Sequence, residues 1–96
     1  MKMFFVVYAD YCDEGVTEAF KQAGYKSYTK IYHATGEGKE SDPKLGTHYA
    51  PGMNNIILLA VPDKEIPLLV EFVRKLKAER PSYNLRAVTI PLEECV

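Results

Sequence analysis

The sequence lacks an excess of charge of either sign. Its 96 residues carry 12 Lys and Arg against 13 Asp and Glu, a formal net charge of −1. Without a general basic field, nucleic-acid binding would need a local basic patch. The basic cluster of the sequence is Arg74, Lys75, Lys77 and Arg80, on one predicted helix. Such a cluster is typical of a solvated helix face, so we expect no nucleic-acid binding.

Cysteines are few, and long apolar runs are missing. Cys12 and Cys95 stand alone without CxxC spacing, which indicates a reducing compartment. No apolar run approaches the roughly 20 residues that cross a membrane as a helix. Residues 1–7 are too short for the apolar region and cleavage site of a signal peptide. We therefore expect a cytoplasmic protein with no membrane insertion.

The composition is that of an ordinary globular domain. Hydrophobic residues make up 47% of the chain and charged residues 26%, typical fractions for soluble domains. A chain of this length supports one core. The sequence has no internal repeat and no low-complexity tract, so we expect a single domain over residues 1–96.

Six segments predict regular secondary structure. Runs rich in β-forming residues predict strands at 3–8, 25–34, 55–61 and 85–90. Apolar residues at i, i+3, i+4 and i+7 predict two helices; these positions are Val16, Ala19, Phe20 and Ala23, then Ile66, Leu69, Val70 and Val73.

Capping residues mark the helix ends. Asp10, Asp13 and Asp63 offer N-cap oxygens. Gly24 suits the left-handed position after the first helix, and Pro81 ends the second.

The order β-α-β-β-α-β predicts an α+β, ferredoxin-like sandwich with a long loop between strands two and three. Right-handed crossovers place both helices on one face of the sheet. In this topology the first and third strands form the central pair of the sheet. Both read as continuous apolar runs, the pattern of strands buried on both faces. Because the helices cover one face, we expect another copy of the chain to cover the second.

The loop at residues 34–52 is rich in Gly, Pro, Ser and Asp. Loops beyond about 12–15 residues in compact domains are usually functional or disordered. We therefore expect the loop to carry function, with the rest of the chain as its scaffold.

The layout resembles the PII-like nitrogen-regulatory signal-transduction proteins over essentially the whole chain. The matching segments are Gly36-Glu37-Gly38-Lys39, Val61-Pro62-Asp63 and Ile90-Pro91-Leu92-Glu93-Glu94. The resemblance implies a homotrimer of ferredoxin-like subunits whose sheets face the centre, with the 34–52 loop as the T-loop. It implies a regulatory protein, not an enzyme, that acts on a partner protein through this loop.

The same resemblance implies a ligand site in the clefts between subunits, with Gly36, Gly38, Lys39 and Arg86 as ligand-binding residues. Lys39 stands where the family has an arginine, and Arg86 matches a phosphate-contacting lysine. Glycines let backbone amides approach an anion closely. The implied ligand is a small anionic effector such as an adenine nucleotide.

Two alternatives stay open. His33 and His48 flank the loop and could bind a divalent metal together with cysteines or carboxylates. This arrangement would suit a metal-binding trimer related to the divalent-cation-tolerance proteins, although the spacing is not that of a structural zinc site. The other alternative is an interaction module without a ligand. For catalysis, no nucleophile pair is indicated, and Asp10 and Asp13 are explained as helix caps.

Overall fold

A computed structural model describes residues 1–36 and 52–96. Its strands are β1 (Lys2–Ala9), β2 (Thr29–Ala34), β3 (Asn54–Val61) and β4 (Arg86–Pro91), and its helices are α1 (Asp13–Gln22) and α2 (Ile66–Glu79). Short 3₁₀ turns at Asp10–Cys12, Asp63–Glu65 and Pro81–Tyr83 join them. The predicted α+β, ferredoxin-like order is confirmed.

The four strands form one antiparallel sheet in the order β2-β3-β1-β4. The two apolar runs, β1 and β3, are the central pair, as the sequence predicted. Their register pairs Lys2 with Val61 at one end and Ala9 with Asn54 at the other. The edge strands β2 and β4 are shorter and more exposed.

The core lies between the sheet and the two helices. Phe4, Val6 and Tyr8 of β1 point into it and are fully buried. Side chains alternate along a strand, so the intervening residues of β1 lie on the opposite face. The remaining buried hydrophobic residues complete the cluster: Ala9, Cys12, Val16, Phe20, Ile57, Leu59, Val61, Leu69, Val73, Leu76 and Leu85.

The opposite side of the sheet, here called the outer sheet face, is also apolar. It comprises Met3, Phe5, Val7, Ile31, Ile56, Leu58, Ala60, Val88 and Ile90, with Thr29 and Arg86, which share a face through the strand register. Ile31, Val88 and Ile90 are 46%, 52% and 45% exposed. The apolar residues of β1 and β3 thus line both faces of the sheet, but within the chain the helices bury one face only.

The C-terminus of α1 is closed as predicted. Gly24 has φ 96°, and its N–H donates to Lys21 O, while the Tyr25 N–H donates to Phe20 O. These two bonds form a Schellman motif. The Tyr25 and Phe20 rings also meet edge-on, with centroids 6.3 Å apart.

The helix starts differ from the sequence prediction. Neither the 3₁₀ turn at Asp10–Cys12 nor α1 has a side-chain hydrogen bond at its N-cap, and the same holds for Asp63–Glu65. The N-cap roles predicted for Asp10, Asp13 and Asp63 are therefore wrong. Pro67 lies in the first turn of α2, where a missing N–H costs no helical bond.

Strand β2 begins later than predicted, at Thr29 rather than Tyr25. Tyr25 instead packs against Phe20 of α1 and Phe72 of α2. Within residues 1–36 and 52–96, no helix is long and apolar enough to cross a membrane.

Candidate functional site

Two short segments lead into and out of the predicted functional loop. These segments, residues 33–36 and 52–54, are here called the loop neck. Ala34 pairs with Asn54 across it. A Cβ on Gly36 would lie 3.0 Å from Asn54 Nδ2, so a larger residue at this position would require the Asn54 side chain to shift. The other loop residues predicted to bind ligand, Gly38 and Lys39, lie outside the described residues.

Arg86 opens β4 on the outer sheet face and is exposed. It pairs with Val7 of β1, and Val7 pairs with Ile56 of β3, which in turn pairs with Ile31 of β2. This row of residues crosses the sheet near the end that carries the loop neck. Three strand spacings of about 4.8 Å separate its ends, roughly 14 Å. Gly36 follows β2, the strand at the opposite edge from β4, and lies beside Asn54 at the start of β3. Within one chain, Arg86 and Gly36 thus lie at the same end of the sheet but belong to opposite edges.

His33 lies in the loop neck with an exposed side chain and φ 63°. The described residues contain no group of three or more His, Cys, Asp or Glu side chains suited to a metal ion. His48, the second predicted metal ligand, lies outside the described residues.

A polar cluster that was not predicted from the sequence surrounds Asp13 at the start of α1. Tyr8 Oη donates to Asp13 Oδ1 at 2.6 Å, and Asn55 Nδ2 donates to the same oxygen at 3.0 Å. Lys30 Nζ lies 3.1 Å from Oδ1 and 3.2 Å from Oδ2, and it also donates to Thr17 Oγ1 at 2.6 Å. These five residues, here called the Asp13 cluster, join α1 to three strands.

The Asp13 cluster is largely buried and its charges are matched. Tyr8 is fully buried, Asn55 is 2% exposed and the Lys30 side chain 10% exposed. Every buried side-chain nitrogen or oxygen in the described residues has a hydrogen-bond partner. Buried polar groups stabilise a fold only when they are satisfied in this way.

Burial and hydrogen bonding shift two pKa values in the cluster. Burial raises the pKa of Tyr8 well above its usual value, and the hydrogen bond to Asp13 and that residue's charge add to the effect. Partial burial acts to raise the pKa of Asp13, but hydrogen bonds from Tyr8, Asn55 and Lys30 and the charge of Lys30 outweigh it and lower that pKa. The cluster therefore holds a neutral phenol beside a charged carboxylate.

Lys30 also lies between aromatic rings. Its Nζ is 5.7 Å from the Tyr28 ring centroid and 5.4 Å from that of Tyr32. Both distances are within the range of cation–π attraction. The tyrosines of this segment thus enclose a lysine on the helix-facing side of the sheet.

A sequence signal for the cluster existed but was indirect. Lys30 and Asn55 occupy strand positions whose side chains point towards the helices, opposite Ile57 and Tyr8 respectively. Polar residues at core positions indicate a buried hydrogen-bonding partner. The partner is separated by 17 positions from Lys30 and by 42 from Asn55, so only the fold identifies it.

No protein-family model matches this sequence, and no curated protein matches it. Among solved structures, the chain is similar to CPII, a nitrogen regulatory PII-like protein from Thiomonas intermedia K12, bound to ADP, AMP and bicarbonate. The TM-score is 0.68 at 19% identity, covering 93% of this chain and 82% of that chain.

A second CPII structure from the same organism, bound to ADP and bicarbonate, gives a TM-score of 0.67 at 19% identity, covering 93% of this chain and 82% of that one. A further CPII structure with ADP, AMP and bicarbonate gives 0.63 at 18% identity, covering 92% and 86%. At these identities the likeness is one of fold, and the chain has the fold of PII-like proteins.

Proposed function

We propose that the protein is a PII-like regulatory protein, a single domain over residues 1–96, that binds a small anionic effector and acts on a partner protein. The similar CPII structures hold ADP, AMP and bicarbonate, which supports an adenine nucleotide as the effector. In this proposal the protein acts in the cytoplasm, has no catalytic role and binds neither nucleic acid nor a membrane.

The observation that carries the proposal is the placement of Gly36 and Arg86. They lie at the same end of the sheet but on opposite edges, with β3 and β1 between them. Since the row from Ile31 to Arg86 already spans roughly 14 Å, the proposal assigns the two residues of one ligand site to different copies. When the β2 edge of one copy lies beside the β4 edge of the next, the two residues can meet. A contact between different surfaces closes into a ring when its rotation permits.

The outer sheet face supports assembly into such a ring. Its apolar residues at the sheet edges are exposed in the single chain and those on the central strands are partly exposed. Contiguous apolar patches of this kind mark interaction sites. Three copies with their sheets directed inward would bury them around a common axis. The proposed homotrimer thus covers the apolar face and forms the clefts in one arrangement.

The proposed ligand residues have separate tasks. Main-chain amides at Gly36 and Gly38 would donate to phosphate oxygens, because glycine allows the close approach. Lys39 and Arg86 would supply positive charge, Arg86 from the neighbouring copy. The partner would respond because the effector binds the partner-bound and partner-free forms with different affinities.

The proposal is tested first by thermal unfolding of the chelator-treated protein. ATP, ADP, AMP, cyclic AMP and bicarbonate are compared with zinc, copper and buffer alone. A ligand at a hundred times its dissociation constant stabilises by about 2.7 kcal/mol, several degrees for a small domain. A shift with a nucleotide supports the effector site, whereas a shift with metal alone favours the metal-binding alternative through His33 and His48. No shift with any addition contradicts both.

The binding residues are tested by Arg86→Ala and Lys39→Ala. Each removes one proposed phosphate contact, so we expect nucleotide affinity measured by calorimetry to fall about tenfold or more, since hydrogen bonds to charged groups contribute roughly 1.5–3 kcal/mol. The matched control is Arg74→Ala, an exposed cation on α2. Unchanged affinity in the Arg86 and Lys39 variants, or equal loss in the control, contradicts the site.

A further inference from the structure

The ladder between β2 and β3 is interrupted at the loop neck. Ile31 pairs with Ile56 and Ala34 with Asn54, with a register shift between them. Tyr32 and His33 together therefore lie opposite the single residue Asn55. This is the geometry of a β-bulge, in which the extra residue loses its ladder partner and the strand changes direction.

His33 adopts an unfavourable backbone conformation at this bulge. Its φ of 63° is in the left-handed region, which non-glycine residues adopt only where surrounding contacts hold them. The main-chain N–H of His33 donates to Asn55 Oδ1 at 3.2 Å. A side chain thus supplies the acceptor at the bulge, where two residues of β2 face one of β3.

The amide of Asn55 is itself oriented by α1. Its Nδ2 donates to Asp13 Oδ1, which leaves Oδ1 directed at His33. Asp13 is in turn held by Tyr8 and Lys30. A chain of hydrogen bonds therefore runs from the first turn of α1, through Asn55, to the main chain at the entrance of the loop.

We propose that Asn55 is a positioning residue that couples α1 to the loop neck and fixes the direction in which the chain leaves β2. Asp13 contributes by orienting the Asn55 amide. The inference concerns the main chain at His33 and does not depend on the proposed effector, so it stands or fails separately from the proposed function.

The test is amide hydrogen exchange of His33, measured by NMR on the full chain and divided by the exchange of the β1 amides of residues 4–7. The ratio separates local opening at the neck from general loss of stability. In Asn55→Asp, the Asn55 Nδ2 donor that faces Asp13 is replaced by an oxygen, so two carboxylates lie near one another. Their repulsion should turn the side chain at position 55 away from Asp13 and from the His33 N–H. We then expect the exchange ratio of His33 to rise on the order of tenfold.

Exchanging the amide and the carboxylate between positions 55 and 13 should restore the protection of the His33 N–H. In the double variant Asn55→Asp with Asp13→Asn, the amide at position 13 can donate to the carboxylate at position 55, which again accepts from His33. We expect the ratio to return to within about threefold of the original value, a change below the usual net contribution of one hydrogen bond. Asn84→Asp, at an exposed position after Pro81–Tyr83, is the matched control and should leave the ratio unchanged.

If Asn55→Asp does not fold, Asp13→Asn and Asp13→Ala replace it. Both remove the carboxylate that pairs with Lys30, but the asparagine oxygen can still accept from Asn55 Nδ2 and alanine cannot. The ratio should then be about tenfold higher in the alanine variant. The proposal is overturned when His33 exchange in Asn55→Asp changes only in proportion to that of the β1 amides. It is also overturned when the double variant does not recover the original ratio, or when the two Asp13 variants give equal ratios.

Discussion

His33 shows how a single residue can hold an unfavourable conformation because of its surroundings. Its positive φ costs an ordinary side chain about 1–2 kcal/mol, and histidine tolerates this region better than most residues. The hydrogen bond from its N–H to Asn55 and the pairing of Ala34 with Asn54 hold the bulge in place. The effect of a substitution at this position on the free energy of unfolding should therefore depend on how well the new residue tolerates positive φ, and not on its hydrophobicity.

We expect His33→Ile to lower the free energy of unfolding by about 1–2 kcal/mol, because a β-branched residue is strongly disfavoured at positive φ. His33→Gly should change it much less, since glycine adopts this region readily. Urea unfolding of the two variants measures the difference. Equal stability of the isoleucine variant and the original chain would show that the bulge is not strained.

Tyr8 should make the protein sensitive to alkaline pH. Burial and the hydrogen bond to Asp13 raise the pKa of Tyr8, so the folded chain keeps the phenol proton above pH 10, where the unfolded chain releases it. Stability from this group is present below about pH 10 and is lost as the pH rises further, by about 1.4 kcal/mol per pH unit.

Tyr8→Phe should remove that part of the pH dependence. We expect lower stability at neutral pH, because Asp13 loses a donor, but a flatter decline between about pH 10 and 11. Denaturant unfolding at several pH values measures both effects. Parallel declines in the variant and the original chain would contradict the assigned cause.

At the scale of elements, the ends of α1 have different determinants. Its C-terminus follows a local rule, in which Gly24 and Tyr25 return hydrogen bonds to Lys21 and Phe20. Its N-terminus lacks a side-chain cap, and its first residue, Asp13, is instead bonded to three strands. The start of the helix is thus held by tertiary contacts, and its end by local sequence.

Gly24→Ala should lower the free energy of unfolding by about 1–2 kcal/mol, because the left-handed position places a Cβ against the backbone. Gly24→Asn is the matched variant and should lose less, since asparagine also occurs at this position. Thermal and urea unfolding give the comparison. A Gly24→Ala variant at least as stable as the original chain would mean that the Schellman motif contributes little.

In the molecule as a whole, one face of the sheet is covered by the helices and the other is not covered by any described part of the chain. Both helices cover the core face, while the outer sheet face retains exposed Ile31, Val88 and Ile90. The proposed assembly gives this face its cover and also brings Arg86 of one copy towards Gly36 of another. Oligomeric state and effector binding should therefore change together.

Val88→Glu tests this link, since it places a charge on the outer sheet face. We expect a folded chain of lower mass in sedimentation equilibrium, with nucleotide binding lost as well. Leu68→Glu is the matched control, because Leu68 is 62% exposed on α2 on the opposite side of the molecule. A monomeric original chain, or dissociation of the control to the same extent, would contradict the proposed homotrimer.

Local sequence signals account for the elements, their order and the end of α1. Apolar periodicity, Gly24 and the prolines act within a few residues, so they can be read without the fold. The order of these elements predicted the ferredoxin-like sheet with β1 and β3 at its centre. Gly36 and Arg86 could be chosen from the sequence through the family resemblance, but not their separation across the sheet.

The contacts between polar side chains depend on how the whole chain packs. Asp13 suited a helix cap equally well, and its real partners come from β1, β2 and β3. The bulge that sets His33 opposite Asn55 depends on how two strands are registered. Hydrogen bonds between residues distant in sequence form only when the packing of the core brings them together. For that reason the elements could be predicted, while the Asp13 cluster and the loop neck could not.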